Sequence, residues 1–364
     1  MSCPVDEKIQ RLNVRALCVP LPIPHRTSNG IITESPLVLT DLLTESGVVG
    51  HSVLFTYTKA ALKPTADLVQ NIGELLAGEI LAPVMIQQKL AARFRLLGTE
   101  GLIGMALSAI DMASWDALAR CHSLPLTRLL GGVDRPLLAY AGLGFDGPID
   151  SAKQAEALFK KGFRAVKAKV GYPSLKDDLA VIRALRSALG NDAEIMVDYN
   201  QSLTPAEAIN RLRVLDDERL TWIEEPTSAH DHEGHALIAR EIKTPIQCGE
   251  NWWGPEEVGI AVAAKASDYV MFDVMKIGGV TGWLQAAAIA QAHNLVVANH
   301  LWPELSIRLL CLSPTARWME YIDWWNPILR EPLELSNGFT RTNGNAGSGI
   351  DWDERAVGRL LAAQ

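Results

Sequence analysis

Residues 165–173 read AVKAKVGYP, an apolar run interrupted by two lysines. Lys167 and Lys169 are two positions apart, and residues at that spacing in a β-strand point to the same face of the sheet. A Lys-x-Lys pattern alone usually protects an edge strand from aggregation. The neighbouring residues are typical of a buried strand, however. Two ammonium groups on one face of such a strand need partners, and the rest of the sequence indicates which groups those are.

The same alternation extends along the chain from about residue 135. Short β-rich runs alternate with amphipathic helical stretches, for example at 174–190 and 205–217. The β-rich runs lie at 137–141, 165–170, 194–199, 221–225, 246–249, 269–272, 296–299 and 318–321. This order predicts a parallel sheet, and eight strands close a (β/α)8 barrel. The barrel is compact, so one crossover is expected to be degenerate.

The first part of the chain has a different pattern. Residues 13–58 are rich in β-formers and contain a turn signal at 44–47, while the polar stretch 25–32 is predicted to be a loop. Residues 59–129 have a helical pattern. We therefore predict an α/β protein with an N-terminal α+β capping domain (1–134), a modified (β/α)8 TIM barrel (135–325) and a C-terminal segment returning to the capping domain (326–364).

Bulk composition excludes several classes of protein. The chain has 364 residues and a net charge of -8, which argues against a general nucleic-acid binder. There is no signal-peptide pattern and no uncharged apolar run of about 18 residues, so no membrane partner is expected. The five cysteines are scattered and form no CxxC pair. We expect a cytoplasmic protein.

Ionisable residues stand at the carboxyl ends of the predicted strands. Beyond the two lysines these are Asp198, Glu224, Glu250, Asp273, His300 and Glu320. From Lys169 onward the spacings are 29, 26, 26, 23, 27 and 20 residues, about one βα unit each. One carboxylate after a strand is usually a helix cap, but ionisable residues at the ends of seven of the eight predicted strands indicate a shared site at the catalytic face of a barrel.

The residue types suggest metal-assisted proton transfer. Asp198, Glu224 and Glu250 would repel one another and take up protons without a cation, whereas Mg²⁺ prefers such oxygen ligands. The metal and the shared face should lower the pKa of at least one lysine, which makes a base. His300, held by Asp273, would be a second base.

Glu320 would then protonate or hydrogen-bond a developing oxyanion. These groups together suit removal of a proton α to a carboxylate. Two other classes remain open. A Schiff-base aldolase would use Lys167 or Lys169 but would leave the carboxylates unexplained, and a catalytically silent binding protein should have lost a ligand or a base.

Several longer stretches carry a resemblance to a known family. They include GVVGHSVLFTYT, IDMASWDAL, GFRAVKAKVGYP, IMVDYNQSL, TWIEEPT, GENWWGPEE, MKIGGVTGW and SPTARWME. Over nearly the whole chain the sequence resembles the enolase superfamily, and within it the mandelate racemase group. The resemblance implies a capping domain, a modified (β/α)8 barrel, an essential Mg²⁺ and a small-molecule carboxylate substrate. It also implies a homo-oligomer, commonly an octamer.

The matching motifs imply roles for individual residues. Asp198, Glu224 and Glu250 would be the Mg²⁺ ligands. Lys169 would be the base for the (S)-enantiomer, and His300 paired with Asp273 the base for the (R)-enantiomer. Lys167 would bind the substrate carboxylate, Glu320 would be the electrophilic acid, and Asn200 would contact the α-substituent.

The substrate pocket departs from the family pattern. Gly142 replaces a serine that bonds the substrate carboxylate, and His25 and Asn29 replace two valines that contact the phenyl ring, while Tyr57 is retained. Polar groups weaken an apolar pocket unless they find partners. We therefore expect a substrate with additional polar groups, and we expect valine at positions 25 and 29 to raise activity on mandelate.

The reaction itself has two candidates from sequence. An isomerase that racemises a 2-hydroxy acid, such as mandelate or a more polar analogue, needs two bases on opposite faces. A hydro-lyase of the same superfamily, an acid-sugar dehydratase, would expel a β-hydroxyl after the same proton abstraction. The full-length resemblance favours the racemase, and the polar loop favours the dehydratase.

Three further motifs have ordinary structural explanations. Residues 230–235 read HDHEGH, which we interpret as a polar helix start rather than a metal site. GGVTG at 278–282 lacks the residues of a phosphate loop, and Cys248 has no neighbouring base. For Lys276 the sequence leaves two alternatives: it contributes to the charge network of the site, or it only completes an ion pair.

Overall fold

The computed structural model describes residues 6–27 and 30–362. An antiparallel sheet opens the chain, with strands β1 (Ile9–Thr27), β2 (Gly30–Thr44) and β3 (Val49–Phe55) in that spatial order. The turn between β2 and β3 confirms the turn signal at 44–47.

The loop predicted at 25–32 is wrong for the described residues of this stretch, because 25–27 belong to β1 and 30–32 belong to β2. His25 pairs with Ile32 and Thr27 with Gly30. The pairing of β1 with β2 is irregular between Pro20 and His25, and regular pairing resumes at His25. The β1–β2 hairpin therefore places His25 near the barrel, where it lines the same cavity as the strand ends.

Four helices follow this sheet: α1 (Lys59–Glu74), α2 (Pro83–Phe94), α3 (Gly101–Cys121) and α4 (Leu126–Leu129). Helices α1 and α3 pack against the sheet, and α2 and α4 pack against α3. Strand β3 lies close to α3, because a Cβ at Gly50 would be 2.2 Å from the Ala113 carbonyl oxygen. Helix α3 is long and apolar enough to cross a membrane, but 72% of its most apolar window is buried inside the protein. It packs as a core helix.

The second part of the chain forms the barrel. Its strands are β4 (Leu137–Gly142), β5 (Ala165–Lys169), β6 (Glu194–Asp198), β7 (Ile223–Glu224), β8 (Ile246–Cys248), β9 (Tyr269–Asp273), β10 (Val296–His300) and β11 (Trp318–Tyr321). Helices α5 (Gly147–Lys160), α6 (Leu175–Leu189), α7 (Pro205–Leu215), α8 (His232–Glu241), α9 (Gly254–Ala264), α10 (Gly279–Ala292) and α11 (Pro303–Leu312) connect them.

Parallel pairing runs from β4 through β10, and β11 pairs with β4. Between β10 and β11 a bridge joins Val297 to Ala316. In the described segment after β11 a short hairpin, β12 (Leu335–Ser336) and β13 (Phe339–Thr340), stands in place of an eighth crossover helix. The predicted modified (β/α)8 barrel with an α+β cap is confirmed.

Large side chains fill the barrel below its carboxyl rim. Tyr140, Trp222 and Trp318 are buried, with ring centroids 5.3 Å apart for Tyr140–Trp222 and 5.8 Å for Trp222–Trp318. These aromatic side chains pack the barrel interior, as expected for the core of a barrel.

The chain ends in helix α12 (Glu354–Ala362) against the first sheet. Arg15 of β1 forms an ion pair with Glu354 at 2.6 Å, and the Trp352 indole donates to Asp41 at 2.9 Å. These contacts bring the C-terminal segment back to the N-terminal sheet.

Candidate active site

The carboxyl ends of the barrel strands meet beneath the hairpin of β1 and β2. In register, Lys169 lies beside Asp198, Asp198 beside Glu224, and Asp273 beside His300. A cavity of about 770 Å³ opens at this rim. Its lining includes Lys167, Lys169, Asp198, Glu250, His300 and Glu320 from the barrel and His25, Phe55 and Tyr57 from the cap.

Three carboxylates converge at the rim. Asp198, Glu224 and Glu250 each offer an oxygen, and these atoms lie within 4.8 Å of one another. Burial raises the pKa of Glu224 to about 8, with Lys167 opposing and the other two carboxylates adding to the rise. Such a set is unfavourable alone and well suited to a hard divalent cation, so these residues can hold a metal.

The two lysines of β5 meet the predicted anionic partners. Lys167 Nζ lies 2.6 Å from Glu224 Oε1 and 3.0 Å from Glu320 Oε1. Burial opposes its charge, but these two carboxylates outweigh burial and hold the pKa of Lys167 well above its ordinary value. Lys169 Nζ lies 3.1 Å from Asp198 Oδ2 and 2.5 Å from Asn200 Oδ1. Lys167 is thus a fixed cation, which leaves Lys169 as the candidate base.

His300 and Asp273 form a hydrogen-bonded pair on the other side of the carboxylates. His300 Nδ1 is 2.8 Å from Asp273 Oδ2, and its Nε2 is 3.5 Å from Glu250 Oε2. Burial disfavours the imidazolium, but Glu250 and Asp273 raise the pKa of His300 above its ordinary value. The ring can therefore store a proton and present it at Nε2.

Glu320 is ionised in this arrangement. Despite its burial, Lys167 and His300 lower the pKa of Glu320, and the Leu301 amide donates to its Oε2 at 2.9 Å. The predicted donor role thus requires Glu320 to take up a proton first. Asn299 holds the strand end, because its Oδ1 accepts from the Glu320 amide at 2.8 Å.

The predicted substrate contacts are mostly at the cavity. Asn200 has a left-handed backbone (φ 44°) and its Nδ2 donates to Asp198. Tyr57 and His25 line the cavity, while Asn29 lies outside the described residues. A Cβ on Gly142 would meet nothing within 4 Å, so neither packing nor positive φ demands glycine there.

His25 differs from the expectation of a polar pocket wall. Its ring lies 5.1 Å from that of Trp324. Burial, together with the charge of Lys169, lowers the pKa of His25 to about 4. The imidazole is therefore uncharged at neutral pH and packs as an aromatic ring, so it does not by itself favour a charged substrate.

The sequence reasoning missed a second layer behind the carboxylates. The amide of Asn251 donates to Glu225 at 2.7 Å and accepts from Lys276 Nζ at 2.7 Å. Lys276 also lies 5.1 Å from the Tyr57 ring centroid and helps to lower the pKa of Glu250. Of the two alternatives for Lys276, the structure supports the charge network. The sequence contained a signal for this layer, because Glu225 and Asn251 directly follow the predicted ligands Glu224 and Glu250 in the stretches EEP and GENW.

The other motifs are structural. Asp231 caps α8 by accepting from the Gly234 amide at 2.9 Å, as expected for a helix start. Among the described residues, the only cluster compatible with a metal is the carboxylate set at the rim. Gly279 opens α10 in close packing on Asp111. Burial raises the pKa of the Cys248 thiol, which makes it unreactive.

Comparison with known proteins assigns the family. Residues 150–356 match the family described as enolase C-terminal domain-like, and residues 11–131 match the mandelate racemase/muconate lactonizing enzyme N-terminal domain. The chain belongs to the mandelate racemase-like group of the enolase superfamily.

Members of this superfamily with different reactions resemble the chain. A crystal structure of an enolase from Bradyrhizobium, complexed with magnesium and mandelic acid, is 44% identical with a TM-score of 0.94, covering 98% of this chain and 99% of that one. L-talarate/galactarate dehydratase of Salmonella typhimurium is 32% identical over 89% of this chain and 82% of its own length. A 3,6-anhydro-alpha-L-galactonate cycloisomerase of Streptomyces coelicolor is 31% identical over 97% and 99%. The chain is therefore an enolase-superfamily enzyme.

Proposed function

We propose that this enzyme is a Mg²⁺-dependent racemase of a 2-hydroxy acid. The observation that carries the proposal is the position of two candidate bases on either side of the carboxylate cluster. Lys169 Nζ is 3.1 Å from Asp198, and His300 Nε2 is 3.5 Å from Glu250. Inversion needs one group to remove the α-proton and a second to return it from the other face.

Asp198, Glu224 and Glu250 would hold Mg²⁺ in this proposal. Their oxygens converge within 4.8 Å, and the related Bradyrhizobium structure is complexed with magnesium and mandelic acid. When bound, the ion would supply Lewis-acid stabilisation of the negative charge that develops on the substrate carboxylate.

The remaining residues would bind and orient the substrate. Lys167, a buried cation, would bind the substrate carboxylate, and Asn200 would contact the α-substituent. Glu320 would share a proton with the same carboxylate once substrate enters. Asp273 Oδ2 holds His300 Nδ1 at 2.8 Å, which leaves Nε2 for proton transfer at the α-carbon.

Proton NMR in D₂O tests this reaction. The purified enzyme with Mg²⁺ would be incubated separately with (R)- and (S)-mandelate, and the α-proton signal followed. Racemisation is supported if that signal is lost from both enantiomers, the opposite enantiomer forms and no other compound appears. The result against it is an unchanged α-proton under conditions where the enzyme is folded and metal is bound. Borohydride trapping with a keto substrate, if it labelled a lysine, would point instead to a Schiff base.

A second candidate is an acid-sugar dehydratase. The similarity to the Salmonella dehydratase supports it, since both reactions begin with the same proton abstraction. A panel of aldonates and aldarates in the same NMR experiment separates them, because a dehydratase releases a 2-keto-3-deoxy acid. Such a product from one sugar, with silence on mandelate, would favour the dehydratase.

The proposal includes a cytoplasmic homo-oligomer. Several apolar side chains on α2 and just beyond it are exposed, including Met85 at 62%, Leu96 at 93% and Leu97 at 74%. Exposed apolar groups of this kind often mark subunit interfaces. Light scattering of the purified enzyme would give the number of subunits, and a monomer would contradict this part.

A further inference from the structure

We propose that Trp324 determines which α-substituent the enzyme accepts, and that it selects a flat aromatic ring. This inference rests on the proposed 2-hydroxy acid racemase and names its substrate class. Trp324 lies in the loop that follows β11 and lines the cavity beside the catalytic groups. It belongs neither to the metal ligands nor to the two bases.

Trp324 is the centre of an aromatic wall formed by both parts of the chain. His25 from β1 packs on it with ring centroids 5.1 Å apart, and Phe55 from β3 packs edge-on at 5.7 Å. Tyr57 continues the wall, 4.7 Å from Phe55. All four residues line the cavity. Offset and edge-on contacts of this kind favour a further aromatic ring over a hydroxylated chain.

The adjacent residue makes this wall rigid. Trp325 is buried and stacked on Trp302, with centroids 4.9 Å apart and ring planes 20° apart. Its indole also donates to Glu304 at 3.0 Å. Trp302 in turn donates to Asp273 at 3.0 Å. The anchored Trp325 therefore holds Trp324 on the cavity side. Through Trp302 it is also connected to Asp273, the partner of His300. Little ordering of the wall is needed when a ring binds.

The charges along the cavity argue against a second carboxylate on the substrate. Among the described lining residues the lysines are Lys161, Lys167 and Lys169. Lys167 and Lys169 belong to the catalytic rim. Lys161 precedes β5, and that five-residue strand separates it from the rim by about 13 Å or more.

The four described residues that form this wall carry no positive charge themselves, and the cation in contact with them is Lys276, whose Nζ lies 5.1 Å from the Tyr57 ring centroid. Asp323, the residue before it, also lines the cavity and would repel an anion. His25 is neutral at pH 7 because burial and Lys169 lower its pKa to about 4. An uncharged ring is therefore the substituent that this wall accommodates best, and the open space at Gly142 leaves room at the end of β4.

The test compares an aryl with an alkyl 2-hydroxy acid in three variants. The α-proton exchange of mandelate and of lactate would be measured in D₂O for the wild type, Trp324→Ala and Trp324→Phe, and mandelate binding by calorimetry with Mg²⁺. Trp115→Phe is the matched control, because this partly buried indole donates to Thr281 at 2.9 Å away from the cavity lining. Circular dichroism would verify folding of each variant.

We expect Trp324→Ala to lower kcat/KM for mandelate by about 10- to 100-fold while lactate changes by less than about threefold. Trp324→Phe should recover most of the mandelate rate, and Trp115→Phe should resemble the wild type on both acids. Equal losses on both acids in Trp324→Ala, or no loss on mandelate, would overturn the inference.

Binding separates the two proposals. A wild type that binds mandelate without exchanging its α-proton, and that loses this binding in Trp324→Ala, refutes the racemase and retains the aryl site. A wild type that neither binds nor exchanges mandelate overturns both.

Discussion

The imidazole of His300 and the carboxylate of Asp273 are held in one orientation. Oδ2 of Asp273 lies 2.8 Å from His300 Nδ1, while Oδ1 accepts from the Trp302 indole at 3.0 Å and from the Met275 amide at 2.7 Å. Because both oxygens are engaged, the carboxylate cannot rotate away. We therefore assign the proton that faces Asp273 to Nδ1, which leaves Nε2 for the proposed proton transfer.

Replacing Asp273 by Asn should disable this side of the site. The amide would offer an N–H or a weaker acceptor to His300, so the ring loses both the orienting charge and the preferred tautomer. We expect kcat for racemisation to fall by about 10²- to 10⁴-fold. When α-proton exchange in D₂O is measured separately on each enantiomer, the loss should be larger for (R)-mandelate than for (S)-mandelate.

Lys169→Arg provides the mirror variant. It keeps a cation beside Asp198 but replaces the amine with a guanidinium, which cannot act as the proposed base. The (S)-enantiomer should now lose exchange while the (R)-enantiomer retains part of it. If both variants lost both enantiomers to the same extent, the assignment of one base to each face would be wrong.

Removing one carboxylate should abolish metal binding. Glu250→Gln reduces the negative charge of the cluster, and we expect activity to fall below about one thousandth of the wild type. Chelation of the wild type should have the same effect, and added Mg²⁺ should restore it. In a thermal shift assay a saturating ligand at about 100 times its Kd stabilises by about 2.7 kcal/mol, so Mg²⁺ should raise the wild-type Tm and not that of the variant.

Glu241→Gln is the control for that experiment, since this partly exposed glutamate pairs with Arg213 far from the rim. It should respond to Mg²⁺ as the wild type does. A Tm rise of equal size in Glu250→Gln would mean that the cation binds elsewhere.

His235 should make the free energy of unfolding depend on pH. It is fully buried, and burial lowers its pKa from 6.5 to about 4. Between these values the unfolded chain binds a proton that the fold excludes, so stability present above pH 6.5 is lost as pH falls toward 4. The loss from this residue is on the order of 3 kcal/mol. Asn, whose amide can replace the 3.1 Å bond from Nδ1 to the Asp231 carbonyl, should flatten the profile.

Urea unfolding at several pH values would measure this effect. His230→Asn is the matched control, because the His230 side chain is 63% exposed. It should leave the slope between pH 4 and 6.5 unchanged. An identical slope in His235→Asn and the wild type would show that other groups carry the acid sensitivity.

His25 gives a test in which sequence and structure point in opposite directions. From the sequence we expected valine at this position to raise activity on mandelate. With the ring packed on Trp324 and uncharged, we now expect His25→Val to remove a wall contact and lower kcat/KM for mandelate by about threefold to tenfold. Steady-state kinetics decides, and a clear gain would restore the polar-pocket interpretation.

Much of the fold was readable from local patterns. Apolar runs one βα unit apart predict the barrel, because each strand must be buried and each crossover needs a helix. The stretch 25–32 was predicted wrongly. Its polar residues and glycine are typical of a loop, but pairing between His25 and Ile32 keeps it in the sheet, and pairing across a hairpin is not visible in residue type alone.

The sequence by itself determined which ionisable residues stand at the strand ends. Parallel strands bring their carboxyl ends to one rim, so Lys169, Asp198, Glu224 and His300 had to face one another once the barrel was inferred. Only the tertiary structure decided what surrounds them. Trp324 meets His25 and Phe55 across about 270 to 300 residues of chain, and the charge of Lys167 is set by two carboxylates from other strands. Contacts between such distant segments depend on how the cap sits over the barrel, which no local pattern encodes.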